Sequence, residues 1–502
     1  MASKTCIAFR TGADLFGFLQ SCRIYCICNS LITLNYTTIF YIFVRFYAAM
    51  IDNKINKVLI FTSLVVTGTL LLSLIPAFNI DGFEMKKADV LADIRNNKTI
   101  VDTVEQDTVV PIIPKFIDTC KTGIICINDY SAEQNALSHF YDALEANNRQ
   151  IRIAYFGDSF IEGDLLTGSL RNLFQQKYGG KGVGFVPVNC ITAGFRTTVL
   201  TSASGWEEHC LTDSIFSRSK QGISGHYFIP YENATATFSC RINSGKVVDT
   251  CSTASFYFIT DGNLKFTTTV NRKLTQQHTV EGSSNIQKVT VNGQIGHIRI
   301  TVNNVGVNTR FFGVTLDNEN TGIVVDNYAL RGVSGENIKS IPEKTLKDFD
   351  KLRSYDLIIL QYGLNVATKT QTKYDYYQKA MTGVIKHLRN NLPHSDIMLI
   401  SVGDRAAKIN GEMITMPGIK SLLVTQQKIA SECGIAFWNL IEAMELDGGM
   451  MGYVKSKPPK ANSDYTHINI RGGEQVAKHL FEAFEYAKEK YIEKKKYNKL
   501  KQ

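Results

Sequence analysis

Ile151-Arg-Ile-Ala-Tyr-Phe-Gly-Asp-Ser-Phe160 is the stretch that decides the fold. Residues 151–156 make an apolar run of strand length, broken abruptly by a glycine, an acid and a hydroxyl. A short apolar run bounded in this way predicts a strand buried in a parallel sheet. The carboxyl end of such a strand is where open α/β sheets gather ligands and catalytic groups. Gly157 permits a sharp turn there, after which Ser159 presents a hydroxyl and a backbone N–H together. Taken alone, these residues favour a plainer reading, in which Ser159 caps the helix that follows.

The rest of the chain changes that balance. A serine nucleophile needs a base for its proton, an acid to orient the base, and donors for the developing oxyanion. Asn462-Ser-Asp-Tyr-Thr-His467 is followed by Ile-Asn-Ile-Arg-Gly-Gly473 and then by a helical pattern. Asp464 and His467, three residues apart in a loop before a helix, can serve one site. Residues 357–361 form an apolar strand running into Tyr362-Gly-Leu-Asn365, which puts the Asn365 amide at another strand's carboxyl end. Residues 324–330 lead into Arg331-Gly-Val-Ser-Gly335, where Gly332, with Gly335 as its competitor, can turn a backbone N–H toward the same point. Ser159 N–H, Gly332 N–H and the Asn365 amide then make a three-donor oxyanion hole. His467 as an ordinary loop histidine and Asp464 as a helix cap are the plainer alternatives. Chance does not readily supply the order of the parts, with the serine at the first strand, the amide at an intermediate one, and the acid–histidine pair before the last helix.

On these four blocks the chain resembles the SGNH, or GDSL, hydrolase family: a serine after Gly-Asp, a glycine, an asparagine in Gly-x-Asn, and Asp-x-x-His. Here they are Ser159, Gly332, Asn365, and Asp464 with His467, and the resemblance covers residues 150–200 and 320–490. It implies an α/β chain with a flavodoxin-like three-layer α/β/α fold and serine esterase chemistry on esters of sugars, lipids or small alcohols.

Elsewhere the pattern is consistent with such a domain, split between residues 131–194 and 323–495. Ser131-Ala-Glu-Gln134 reads as a capping box, with Leu137, Phe140, Tyr141 and Leu144 on one face of the helix it would start. Residues 162–178 are amphipathic and stop at Gly179-Gly180. After Gly335, helices 336–349, 374–390 and 419–433 alternate with strands 357–361, 397–402 and 435–439, and a helix at 473–495 ends the series. Asp404 and Arg405 lie at another strand's carboxyl end, where pairing with each other or capping the loop is expected ahead of substrate contact.

Residues 195–322 have a different texture. Alternating runs such as Ala236-Thr-Phe-Ser-Cys-Arg-Ile242 and His297-Ile-Arg-Ile-Thr-Val302 are separated by Asn, Gly and Ser turns, without helical periodicity. Short strands at that spacing predict an inserted β-sandwich. The arrangement resembles the peptidoglycan O-acetylesterases of the family, in which a carbohydrate-binding-like β-domain interrupts the catalytic fold. Gly179-Gly-Lys-Gly-Val-Gly-Phe-Val-Pro187 looks like their Gly-rich segment after the first helix.

At 502 residues the chain is expected to hold two folded units and appendages. Residues 58–80 are uncharged and long enough to cross a bilayer as a helix. Lys54 and Lys57 before this stretch, with Asp81 and Glu84 after it, predict that everything beyond residue 81 is exported. An uncleaved anchor over 50–81 is expected, then a polar tether over 82–130 that lifts the domain to the periplasmic or extracellular side. Residues 1–49 show no pattern of a folded domain, and Met50 opens the short basic lead an anchor carries. Translation from Met50 is the expectation, refuted by a mature N-terminus that begins earlier; a second membrane segment over 31–44 is the alternative. Of the net charge of +9, +3 lies in residues 1–49 and much of the rest in the lysine-rich end. That end reads as a solvated helix terminus, and nucleic-acid binding has little support. Cys120 and Cys126 close a loop that an oxidising compartment can bridge. A pairing among Cys210, Cys240 and Cys251 stays open.

The resemblance implies acyl transfer through Ser159, with no metal or organic cofactor. The expected substrate is an O-acetyl group on an envelope or extracellular glycan. The first alternative is an O-acetyltransferase supplied by a membrane-bound O-acyltransferase partner. The second is a non-catalytic glycan-binding protein.

Overall fold

The computed structural model describes residues 62, 63, 65, 67, 78–80, 83–85, 120–240, 250–318 and 321–501. The chain divides into two units, Met1–Thr108 and Val109–Gln502.

In the first unit Thr62, Ser63, Val65 and Thr67 are helical, and strands β1 (Phe78–Ile80) and β2 (Phe83–Met85) form an antiparallel pair. Ile80 stands opposite Phe83 at the end of the pair. This corrects the expected membrane helix at its end: 78–80 are strand, after a Pro76 that cannot donate to a continuing helix. The remainder of that stretch, residues 1–49, Met50 and most of the tether lie outside the described residues. Among the described residues no helix is long and apolar enough to cross a membrane.

The second unit is a mixed α/β structure. Its six-stranded sheet is built from β3 (Ile127–Asp129), β4 (Gln150–Gly157), β14 (Gly322–Ala329), β15 (Leu357–Gln361), β16 (Asp396–Ile400) and β19 (Ala436–Trp438), in the order β14-β4-β15-β16-β19-β3. All neighbours are parallel except β3 against β19. β15 is buried along its whole length, as a strand covered on both faces must be, which is why it reads as a continuous apolar run. Helices α1 (Ser138–Ala146), α2 (Thr167–Tyr178) and α8 (Ile470–Lys501) pack together, with Phe140 edge-on to Phe174 and Phe484, and those two tilted against each other. A second group is α3 (Glu343–Arg353), α4 (Asp375–Asn391) and α5 (Pro417–Cys433), followed by the short α6 (Leu440–Glu445) and α7 (Gly449–Lys455). A small hairpin, β17 (Ala406–Ile409) and β18 (Glu412–Thr415), follows β16.

Several local expectations shift. α1 begins at Ser138, because the Ser131 hydroxyl is taken by Asp129 Oδ1 and by Asn135 N in a turn, not by a helix start. Pro342 splits the predicted 336–349 helix into a 3-10 turn and α3. Residues 127–129, placed in the tether by the sequence, are an edge strand, and Cys120 and Cys126 just before them are disulfide-bonded.

The second sheet contains β5 (Gly182–Val186), β6 (Val199–Cys210), β7 (His226–Cys240), β8 (Cys251–Thr260), β9 (Leu264–Val270), β10 (Leu274–Val280), β11 (Ser283–Ile295), β12 (His297–Asn304) and β13 (Arg310–Asp317). Its path runs β10-β9-β12-β7-β13-β8-β11, with β5 on β13 and β6 on β7. The step from β7 to β13 is one residue pair, Phe228 with Phe311. From that joint the two arms face each other across a second core, where Phe266 of β9 meets Phe256 and Phe258 of β8. Thus β5, from before residue 195, already belongs to this sheet.

Arg353 joins the two sheets. Its buried guanidinium pairs with Asp326 of β14 and Asp317 of β13, while Asp326 also accepts from Phe185 N of β5 at 2.8 Å. Burial alone would push Asp326 up, but Arg353 and these hydrogen bonds hold its carboxyl below the ordinary range. Fully partnered in this way, the ions are tolerable in the interior, and loss of one would strand the others.

Candidate active site

Three neighbouring strands end level with one another. Ala329 of β14 is in register with Gly157 of β4, and Gly157 with Gln361 of β15. The loops that follow carry Gly332, Ser159 and Asn365, so one edge of the sheet delivers all three. Gly157 is needed for closeness: a Cβ there would stand 2.8 Å from the Ile161 side chain and 3.0 Å from Gln361 O. Gly332 differs, with a φ of +80° and open space around it, so backbone conformation is what favours glycine there.

Ser159 is almost buried, and its Oγ lies 3.1 Å from His467 Nε2. His467 Nδ1 is 2.8 Å from Asp464 Oδ2. Asp464 Oδ1 accepts from Thr466 N and His467 N at 2.9 and 3.0 Å, which folds the loop around its own carboxylate. Burial tends to raise Asp464, yet the His467 and Thr466 hydrogen bonds outweigh it and hold the carboxyl below the ordinary range. It is therefore ionised at neutral pH and fixes Nδ1 as the protonated nitrogen, leaving Nε2 to accept from Ser159. The loop itself is pinned by Asn462 N donating to His467 O at 2.8 Å.

Asn365 Nδ2 donates to Val333 O at 2.9 Å, so the loop of Gly332 holds the side chain of the third donor. Arg405 donates to Leu364 O at 3.3 Å, and Asp404 Oδ2 accepts from Met450 N at 2.6 Å. The expected Asp404–Arg405 pairing does not form; each steadies a different loop.

Ser159, Gly332, Asn365 and His467 line one cavity of about 940 Å³, together with Phe195 and Arg331. The sequence reading missed the groups that brace it. Arg331 clasps Glu162 through two bonds of 2.8 and 2.6 Å, connecting the glycine loop to the serine loop. Asp164 is buried among Arg171, Arg196, Thr167 and Asn327; the two guanidinium groups overcome the effect of burial and keep it well below the ordinary carboxylate range. Asp158 is buried too, accepting from Phe160 N at 3.0 Å. A cluster of acids just after the strand was the available signal, but their arginine partners lie far away in sequence.

No protein-family model and no curated relative matches the chain. Solved structures do, at the level of fold. A peptidoglycan O-acetylesterase superposes with a TM-score of 0.60 at 19% identity, over 72% of this chain and 99% of that one. At that identity the likeness is one of fold. A family two carbohydrate esterase from Clostridium thermocellum gives a TM-score of 0.25 at 10% identity over 56% of this chain and 96% of its own. An acetyl xylan esterase gives 0.23 at 16% over 32% and 80%. Scores this low add nothing to the argument.

Proposed function

We propose that this chain is a serine esterase that removes O-acetyl groups from a cell-envelope or extracellular glycan. The observation that carries the reading is the relay from Ser159 through His467 to Asp464, set at the mouth of three adjacent strands. Ser159 Oγ attacks the acetyl carbonyl as its proton passes to His467 Nε2. Asp464 stabilises the imidazolium. Ser159 N–H, Gly332 N–H and the Asn365 amide receive the oxyanion. Collapse expels the sugar oxygen, which takes the proton from His467 and leaves acetyl-Ser159. Water, activated by the same histidine, then releases acetate and restores the serine.

Two features support a glycan as the substrate. The cavity sets the half-exposed ring of Phe195 beside charged and amide side chains, a lining suited to a sugar's apolar face and hydroxyls. The structure that shares the fold is named a peptidoglycan O-acetylesterase. Within this proposal the nine-stranded sheet is a carbohydrate-binding module, and the chain is exported and membrane-held through the uncharged stretch that begins at residue 58 and ends before the strand at Phe78. The test is acetate release from O-acetylated peptidoglycan and from an activated acetyl ester by the purified protein. Release that vanishes in Ser159→Ala is expected. Acetyl groups accumulating on an added glycan acceptor would instead assign an acetyltransferase, and no turnover of either ester would leave a glycan-binding protein.

A further inference from the structure

The second sheet opens like a wedge from its single joint at Phe228 and Phe311. β7 begins near that joint and ends at Cys240; Phe258 of β8 pairs with Phe311, whereas Cys251 starts β8 at the opposite end. Both cysteines thus stand at the open end of the wedge, one on each arm. They meet at one corner of the chain, where β11 passes through Gly296 into β12. Cys251 is the register partner of Ile295, and Cys240 N donates to Gly296 O at 3.0 Å. The two sulfurs lie 3.9 and 3.6 Å from the same Ile295 carbonyl oxygen, close enough for Cys240 to act on the Cys251 thiol.

We infer that Cys240 and Cys251 form a disulfide that closes the open end of the second sheet, made by thiol–disulfide exchange in an oxidising compartment. The contact is between cysteines eleven residues apart in the chain, on arms that β13 separates in the sheet order. A bond here would therefore fasten two layers, not two neighbouring strands. The order of events follows from burial. Cys251 is buried, and the neighbouring Cys240 together with burial raises its thiol, so it is a poor first nucleophile. Cys240 is half-buried and lies nearer to solvent. Its thiolate attacks one sulfur of a small-molecule disulfide and expels one thiolate. Cys251, losing its proton to that thiolate, then attacks Cys240 Sγ in the mixed disulfide and expels the second thiol. The protein loses two hydrogens, and one small disulfide becomes two thiols. The inference is independent of the proposed esterase activity.

The experiment uses the full chain, first reduced, then incubated with oxidised glutathione, with remaining thiols alkylated before non-reducing peptide mapping. A linked peptide containing Cys240 and Cys251, two hydrogens lighter than the sum of its parts, is the expected product. Oxidation should also raise Tm by about 5 °C, because the bond restricts the unfolded chain. Cys240→Ser should show only the smaller rise that the Cys120–Cys126 bond supplies, and Cys251→Ser should trap glutathione on Cys240. Separate alkylation of both residues in the oxidised wild-type chain, or linkage of either to another cysteine, overturns the inference. So does a Tm rise in Cys240→Ser as large as that of the unsubstituted chain. The mapping of the unsubstituted chain decides the matter even if a variant fails to fold.

Discussion

Asp158 Oδ2 lies 3.4 Å from Nδ2 of Asn365, so a buried carboxyl beside the nucleophile looks directly at the amide assigned to the oxyanion. Burial raises Asp158 to about 7, against hydrogen bonds from Phe160 N and Leu364 N and the nearby His467, which lower it. The unfolded carboxyl titrates near its ordinary value of about 4, so between about pH 4 and pH 7 the folded state binds more protons. Stability from this group is full below the unfolded value and is lost as pH rises through the folded one. Asp396, also raised to about 7 by burial, works in the same direction. Calorimetry should show Tm falling from pH 5 to pH 8. Asp158→Asn should lower Tm overall, because its amide would face other donors, yet shrink that fall; an unchanged fall would mean Asp158 does not titrate there.

Ser159→Ala should cut ester hydrolysis by at least about 10³-fold without loss of Tm, since the hydroxyl's contact is with His467 alone. Initial rates on an activated acetyl ester, read beside a melting curve, check both halves. A folded variant that still turns over rules out the serine mechanism.

His467→Ala should be as severe. Asp464→Asn keeps an oxygen for Thr466 N and His467 N but turns an N–H toward Nδ1, which favours the wrong imidazole tautomer. A loss of about 10³-fold in kcat with KM little changed is expected. A loss confined to KM would make the pair a binding element.

Asn365→Ala should lower kcat by about 10²-fold, as removal of other oxyanion donors does. Its amide is held by Val333 O, so the variant also tests whether the Gly332 loop keeps its place; an unchanged melting curve would separate the two effects.

Phe195 lies against Gly163, where a Cβ would stand 2.6 Å from its ring, and keeps 44% of its surface exposed beside the serine. Phe195→Ala should raise KM for O-acetylated glycan about tenfold while leaving a small ester within about twofold, because only a large substrate reaches that ring. Equal losses on both would place Phe195 in the catalytic geometry instead.

The strands of the parallel sheet were legible because each is a buried apolar run ended by a polar loop, and the same runs carry Ser159, Gly332 and Asn365. Asp464 and His467 were legible from their spacing before a helix. β5 was not: Gly182-Val-Gly-Phe-Val186 looks like a turn, and it becomes a strand only by pairing with β13, more than a hundred residues later. β3 is three residues long and likewise depends on β19. The expected start of α2 failed because Gly163 and Asp164 take positive φ angles of 58° and 63°, which place Asp164 beneath Arg171 and Arg196. Ion partners so far apart in sequence leave no periodic trace.

Under the proposed function, the clasp of Arg353 on Asp317 and Asp326 also bears on how a polymer would be admitted. A domain hung on a loop can swing and close over what it binds. Here the second sheet is fastened to the first by buried charges that cannot part without stranding an ion, so it is a fixed jamb, from which the segment between β5 and β6 brings Phe195 to the cavity. For the proposed glycan strand selection then falls to gauge: it either lies in the gap as built or does not, because swinging the second sheet would strand a buried ion.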